Sequence, residues 1–169
     1  FNSKHGMQKF KNSIRKNDNF FHIHNGLLPI KKEDNNEFKV EISNFLKDAQ
    51  YKYIVAARVD PLNNFSNLID SFNMLNNENV DFKCIIFGRG QEAELIERKI
   101  KNYNLNSKIL MMGNVKNASS YFYMFDLLIH PALHAGFSNS ISEAIQSDLN
   151  VAVGKIGDSE ELFENKSLI

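Results

Sequence analysis

The chain has 169 residues, 43% of them hydrophobic, which is enough to bury one substantial core and too few for two full-sized domains. Lysine plus arginine and aspartate plus glutamate each total 20, so no global field draws the molecule to nucleic acid or to an anionic membrane. Its single cysteine, Cys84, excludes a disulfide framework, and no apolar run approaches the about 18 residues of a membrane span; with no signal peptide in view, the expectation is a reducing, cytoplasmic setting.

Lys4, Lys9, Lys11, Arg15 and Lys16 all precede the first acidic residue, Asp18, and a basic helix is expected over about Met7 to Arg15. Its charges fit a solvated face better than a membrane contact. A short strand, Phe20 to His24, runs into the turn signal Asn25-Gly26, and a polar stretch from Lys31 to Glu37 leads to a helix over about Val40 to Asp48. Residues 1–26 make no complete domain. They read as the tail of a preceding domain and a link into the unit formed by residues 27–169.

From residue 51 onward, short apolar runs rich in β-branched and aromatic residues alternate with amphipathic helical patterns. Strands are predicted at Tyr53–Ala57, Phe82–Phe87, Ile109–Met112, Leu127–His130 and Val151–Val153. Helices fit Phe65–Leu75, Glu92–Tyr103, Ala118–Phe125 and Asn139–Ser147, with a last one near Glu160–Phe163. Phe65, Leu68, Ile69, Phe72 and Leu75 recur with a 3.6-residue period, giving the first of these helices one buried stripe. Such alternation means an α/β fold, a doubly wound parallel sheet whose right-handed crossovers place helices on both faces. Ligands in such sheets sit beyond the carboxyl ends of the strands, and the suggestive residues fall on that edge: Arg58, Gly88-Arg89-Gly90, Gly113-Asn114 and the stretch from His130 to Ala144.

That last stretch is the most informative. A strand enters a loop containing Pro131 and Gly136, which delivers Ser138, Asn139 and Ser140 to the start of a helix carrying Glu143 one turn in. Unpaired backbone N–H groups and the positive end of the helix dipole suit phosphate there, and the carboxylate is within reach of a ribose diol. Glu143 could instead merely support the helix N-terminus. Arg58 either pairs with a diphosphate or forms a surface ion pair with Asp60; its place on the ligand edge favours phosphate. Gly88-Arg89-Gly90 opens a helix after a strand, yet position 93 is Ala and no acidic residue ends the following strand, so a dinucleotide fingerprint is disfavoured. His130 and His134 bracket the loop without a Cys, Asp or Glu at metal-ligand spacing; a histidine there is a candidate hydrogen-bond donor to substrate. Ser138 and Ser140 lack a nucleophile elbow. Cys84 reads as a core residue.

As a set, these residues resemble the C-terminal, donor-binding half of a retaining glycosyltransferase with the GT-B fold, most like glycosyltransferase family 4. The resemblance runs from about Phe20 to Leu162. His24-Asn25-Gly26 is similar to the interdomain link, Ala57 to Pro61 to the first strand end, and Phe87 to Gly90 to the second. Gly113 to Val115, Tyr123 to Asp126 and Pro131 to Ala144 follow the family order, and Gly157 with Glu160 or Glu161 resembles its last loop. The resemblance implies that Arg58 contacts the donor diphosphate as the catalytic cation, and that Val115 meets the base through its backbone. It further implies that Gly88, Gly90 and the amides of Phe137, Ser138, Asn139 and Ser140 line the donor pocket, while Glu143 binds the ribose. Two positions depart from the family pattern: Asn63 stands where a Lys is usual, and Ala135 where a Glu is usual.

The implied partners are a UDP- or GDP-sugar donor and a glycan or lipid-linked acceptor held by an N-terminal domain of which only the tail is present. Peripheral membrane contact, a place at the inner membrane face, no nucleic acid, no metal and no cofactor go with that reading, as does a C-terminus truncated at Ile169. The expected activity is hexosyl transfer in bacterial surface polysaccharide or lipopolysaccharide synthesis. The departures keep open a non-catalytic member that binds a nucleotide or glycan, and an unrelated Rossmann-like nucleotide module remains a third reading.

Overall fold

Five short strands lie side by side because their apolar side chains must be covered on both faces. The structure, a computed structural model, describes residues 1–13, 19–30 and 36–159. Strands β1 (Tyr51–Ala56), β2 (Phe82–Phe87), β3 (Ile109–Gly113), β4 (Leu127–His130) and β5 (Asn150–Val153) form one sheet in the order β3-β2-β1-β4-β5, every pair parallel. The chain therefore starts in the middle, winds outward through β2 and β3, then returns to place β4 on the other side of β1.

At that reversal the ladder is short. β1 pairs with β4 only at Tyr53 with Leu127 and Ile54 with Leu128, whereas β4 stays paired with β5 through His130 and Val153. The carboxyl ends of β1 and β4 thus diverge, and a crevice opens where this class of sheet binds its ligands.

Each face has its own core. Helices α3 (Phe65–Asn77) and α4 (Ala93–Asn102) cover one face, packing Phe65, Ile69, Phe72 and Ile96 against Val55, Phe82 and Ile86. The rings of Phe72 and Phe82 stack 5.1 Å apart. Helix α2 (Asn36–Leu46), a 3-10 helix (Ala118–Met124) and helix α5 (Asn139–Gln146) cover the other, bringing Ile42, Phe122 and Ala144 onto Ile54, Ile85 and Leu128. Cys84 is buried in the first core, and burial pushes its thiol pKa up, so it is inert packing. Asn64, Asn79, Asn104 and Asn117 adopt positive φ at helix boundaries, the conformation that asparagine tolerates better than most residues.

Several boundaries differ from expectation. Helix α1 (Lys4–Ser13) begins earlier than Met7, because the Ser3 hydroxyl accepts from the Gly6 N–H at 2.9 Å and fixes the first turn. Its expected end at Arg15 lies outside the described residues. Phe20 to His24 is not a strand: the Ile23 N–H donates to the Phe1 carbonyl at 2.8 Å and the Phe1 ammonium to the Phe21 carbonyl at 3.2 Å, without a ladder. A β-rich run becomes a strand only beside another strand, and Phe1 offers it a single residue of pairing. Helix α2 is shifted towards the N-terminus of the expected 40 to 48, and Asp48 is left-handed at φ 65°. The helix expected at Ala118–Phe125 is 3-10 throughout Ala118–Met124. The helix expected near Glu160–Phe163 lies outside the described residues.

Candidate functional site

A cavity of about 650 Å³ occupies the crevice between the diverging ends of β1 and β4. Arg58 reaches it from the end of β1, Gly88 from the end of β2, and Val115 from the loop after β3. Phe137, Ser138, Asn139 and Ser140 enter from the loop before α5, and Glu143 from the helix itself. Asn63 and Ala135, the two departures from the family pattern, also line it. A Cβ at Gly88 would fall on the Ala57 carbonyl oxygen, so only glycine lets these strand ends cross. Gly90 is different. It lies outside the cavity, and its missing Cβ makes room for the backbone of Val59.

The turn into α5 is built by Ser138. Its extended backbone (φ −96°, ψ 115°) and side chain cap the helix, the hydroxyl accepting from the Ile141 N–H at 3.5 Å, while its carbonyl takes the Ser142 N–H at 3.2 Å. The N–H groups of Asn139 and Ser140 have no partner within the helix, which leaves two donors at the positive end of its dipole for an anion. The wall is braced from the N-terminal segment: the Asn25 amide donates to Asn139 Oδ1 at 2.8 Å, and the His24 ring stacks on Phe137 at 4.8 Å.

Two opposite charges face the cavity. Arg58 lies 3.4 Å from Asp60 yet keeps 82% of its side chain exposed, so the ion pair tethers the guanidinium without using it up. Glu143 is half-buried; desolvation raises its pKa, against a hydrogen bond from Ser119 that lowers it. Where a second cation is usual, the Asn63 amide donates to the Arg58 carbonyl at 2.7 Å and to Asp60 Oδ1 at 3.1 Å. Asn63 therefore fixes the turn that carries Arg58 and adds no charge.

His130, at the end of β4, is only 7% exposed, lines the cavity, and has no partner for Nε2. Burial lowers its pKa, so it stands there as a neutral imidazole with an unmet polar atom. Asn2, Asn25 and Asn114 also line the cavity. The sequence offers no signal for Asn2, which lies far along the chain from the loops it joins. Among the described residues, no group of three His, Cys, Asp or Glu side chains is placed to hold a metal ion, and no helix is long and apolar enough to cross a membrane.

Similarity to known proteins bears on the family and the fold. Residues 36–167 match the family described as Glycosyl transferases group 1. The poly(glycerol-phosphate) alpha-glucosyltransferase of Bacillus subtilis (strain 168) is 26% identical over 98 residues, which cover 58% of this chain and 15% of that protein. Among solved structures, HepE from Anabaena in complex with UDP and glucose superposes with a TM-score of 0.81 at 18% identity, covering 96% of this chain and 45% of that one. A mutant of TarM from S. aureus, in complex with fondaparinux, alpha-GlcNAc-glycerol and UDP, gives 0.73 at 19% identity, covering 94% and 30%. At these identities the structural likenesses show the fold, a Rossmann-like half of the GT-B type. The chain spans less than half the length of each of these three proteins.

Proposed function

The chain belongs to the group 1 glycosyl transferases, and from that premise we propose that it is the donor-binding half of a retaining enzyme of glycosyltransferase family 4 that moves a hexosyl group from a UDP- or GDP-sugar to a glycan or lipid-linked acceptor. The observation that carries this reading is the cavity at the reversal of strand order, where Arg58, the open N–H groups of α5 and Glu143 converge. Departure of the nucleoside diphosphate develops negative charge on its phosphate oxygens. Arg58 and the Asn139 and Ser140 N–H groups are placed to stabilise that charge more in the transition state than before it. Glu143 holds the ribose hydroxyls, the Val115 backbone meets the base, and Phe137 to Ser140 fix the phosphates and sugar.

The acceptor side, residues 1–26 as the end of an acceptor-binding domain, a cytoplasmic location at the inner membrane face, and a role in bacterial surface polysaccharide synthesis belong to the same proposal. The Bacillus subtilis relative, named for glucosylation of poly(glycerol-phosphate), supports such an acceptor. Calorimetry with UDP, GDP and their sugars tests it: the chain should bind one nucleotide series, and Arg58→Ala should weaken that binding about tenfold or more. Equal binding by both proteins, or none by either, overturns the assignment.

Asn63 and Ala135 support a second reading, in which the protein binds the nucleotide sugar without transferring it, since Arg58 is the one cation among the described residues lining the cavity. Turnover by the full-length protein, unchanged by Asn63→Lys and Ala135→Glu, would refute this second reading. Donor binding without turnover would favour it.

A further inference from the structure

The loop before α5, Ala135 to Ser138, carries one wall of the donor cavity, and its order comes from segments packed against it rather than from regular structure of its own. Behind it lies a second cleft of about 770 Å³, between the start of α1 and the loop after β5, and Ala135 lines both openings. The loop after β5 presses on that wall through Gly157, where a Cβ would fall on the Ala135 carbonyl oxygen. From the N-terminal side the wall is touched by His24, stacked on Phe137, and by Asn25, bonded to Asn139. Asn2 comes from the same segment and lines the donor cavity itself.

These contacts meet at Asp158, the residue after Gly157. It is 4% exposed and lines neither cavity. Its two carboxylate oxygens accept the Lys4 and His5 N–H groups at 2.8 Å each, capping α1, and Oδ2 lies 3.6 Å from His24 Nε2. Burial opposes the charge, but the bonds from His5, Lys4 and the Ser3 hydroxyl outweigh it and hold the carboxyl below its ordinary 3.8, so it is ionised at neutral pH. One buried carboxylate thereby fastens the loop after β5, the start of α1 and the imidazole that packs on the donor wall.

We propose that Asp158 is a positioning residue of the donor cavity: by fastening residues 3–5 and His24 behind the wall from Ala135 to Asn139, it keeps the Asn139 and Ser140 N–H groups aimed at the donor's phosphates. That those groups meet a diphosphate rests on the function proposed above; the fastening of the wall does not. Backbone donors stabilise an anion best when their geometry is set beforehand, because ordering a loop during binding takes free energy from the contacts it makes. Asp158 supplies that order from outside the cavity. The coupling must also run backwards: a nucleotide that needs the ordered wall tightens the attachment of α1 to Asp158.

Nitrogen-15 NMR with amide exchange and UDP titration tests the inference on this chain. In the wild type, UDP should slow exchange of the Lys4 and His5 amides about threefold or more. Asp158→Asn keeps the size of the side chain but offers one acceptor where two N–H groups need partners. It should weaken UDP about tenfold, abolish the UDP-dependent protection, and shift the free-chain signals of Phe137, Asn139 and Ser140. Asp70→Asn is the control: it removes the acceptor of Lys99 Nζ and the Tyr103 hydroxyl, at 2.7 Å each, from the α3–α4 face, and should lower Tm without changing UDP affinity. If Asp158→Asn does not fold, Ser3→Ala, which deletes one donor to the carboxylate, carries the same test at about twofold to threefold. A folded Asp158→Asn chain with wild-type UDP affinity, or Lys4 and His5 exchange indifferent to bound UDP, would overturn the proposal. A wild-type chain that binds no UDP refutes the donor reading, and the free-chain signals from Phe137 to Ser140 then decide by themselves whether Asp158 holds the wall.

Discussion

The two cavities that meet at Ala135 are built by different rules. The donor cavity takes its charged and glycine residues from the ends of parallel strands and the start of α5, so its composition follows from topology. The cleft beside it takes one wall from residues 5–12 and the others from residues 133–157, joined by a hydrogen-bonded cap between segments more than 150 residues apart. A site fixed by sheet topology announces itself in one-dimensional pattern. A site assembled by docking a terminal helix does not.

Breaking the donor cavity at its root should give the largest effect. Gly88→Val places a side chain on the Ala57 carbonyl, where backbone must move, and we expect a loss of at least about 3 kcal/mol of stability together with nucleotide binding. Thermal melting and UDP titration check both. A fully stable, UDP-binding Gly88→Val chain would mean that the strand ends do not cross as described. Next comes Arg58→Ala, expected to weaken UDP about tenfold to a hundredfold while leaving the free-chain signals of His5 and Gly136 unchanged. An effect on both regions would show the two cavities to be one electrostatic site.

Sequence pattern gave access to the sheet and most of the donor wall for concrete reasons. Five apolar runs separated by helical periods force a parallel sheet, and Arg58, Gly88, Val115 and Glu143 then fall on one edge whatever the loop details. Gly90 falls outside the cavity, and a glycine after a strand looks the same in sequence whether it faces a ligand or, as here, the backbone of Val59. Phe20 to His24 has strand composition but joins no sheet among the described residues, and pairing is a property of neighbours that propensity does not encode. Asn2 lines the cavity and Asp158 caps α1 from the far end of the chain, beyond any local spacing rule.

Glu143→Gln separates function from stability within the donor cavity. Burial raises the carboxyl pKa above its ordinary 4.5, so the folded state favours the protonated form; this contribution to stability is present below 4.5 and is lost as pH rises through the folded value. At neutral pH the ionised side chain therefore costs stability. The amide should raise Tm by about 1–2 °C while weakening UDP about fivefold, because a ribose diol loses its charged acceptor. A lowered Tm would show that the hydrogen bond from Ser119 outweighs desolvation.

The smallest and most discriminating change is at His130. Its Nε2 is buried without a partner, so His130→Leu removes an unmet polar atom and should leave the stability of the free chain unchanged or slightly higher. Burial lowers its pKa below the ordinary 6.5, so the folded state resists protonation: the stability is present above 6.5 and is lost as pH falls through the folded value. The wild-type chain should accordingly lose Tm on acidification faster than His130→Leu. If Nε2 is held unmet for a donor group, the variant should also bind the nucleotide sugar about threefold more weakly, with the free-chain signals of the neighbouring cleft untouched. Unaltered donor affinity would make His130 a filler of the crevice, and the donor cavity would then recognise its ligand through Arg58, Glu143 and the backbone alone.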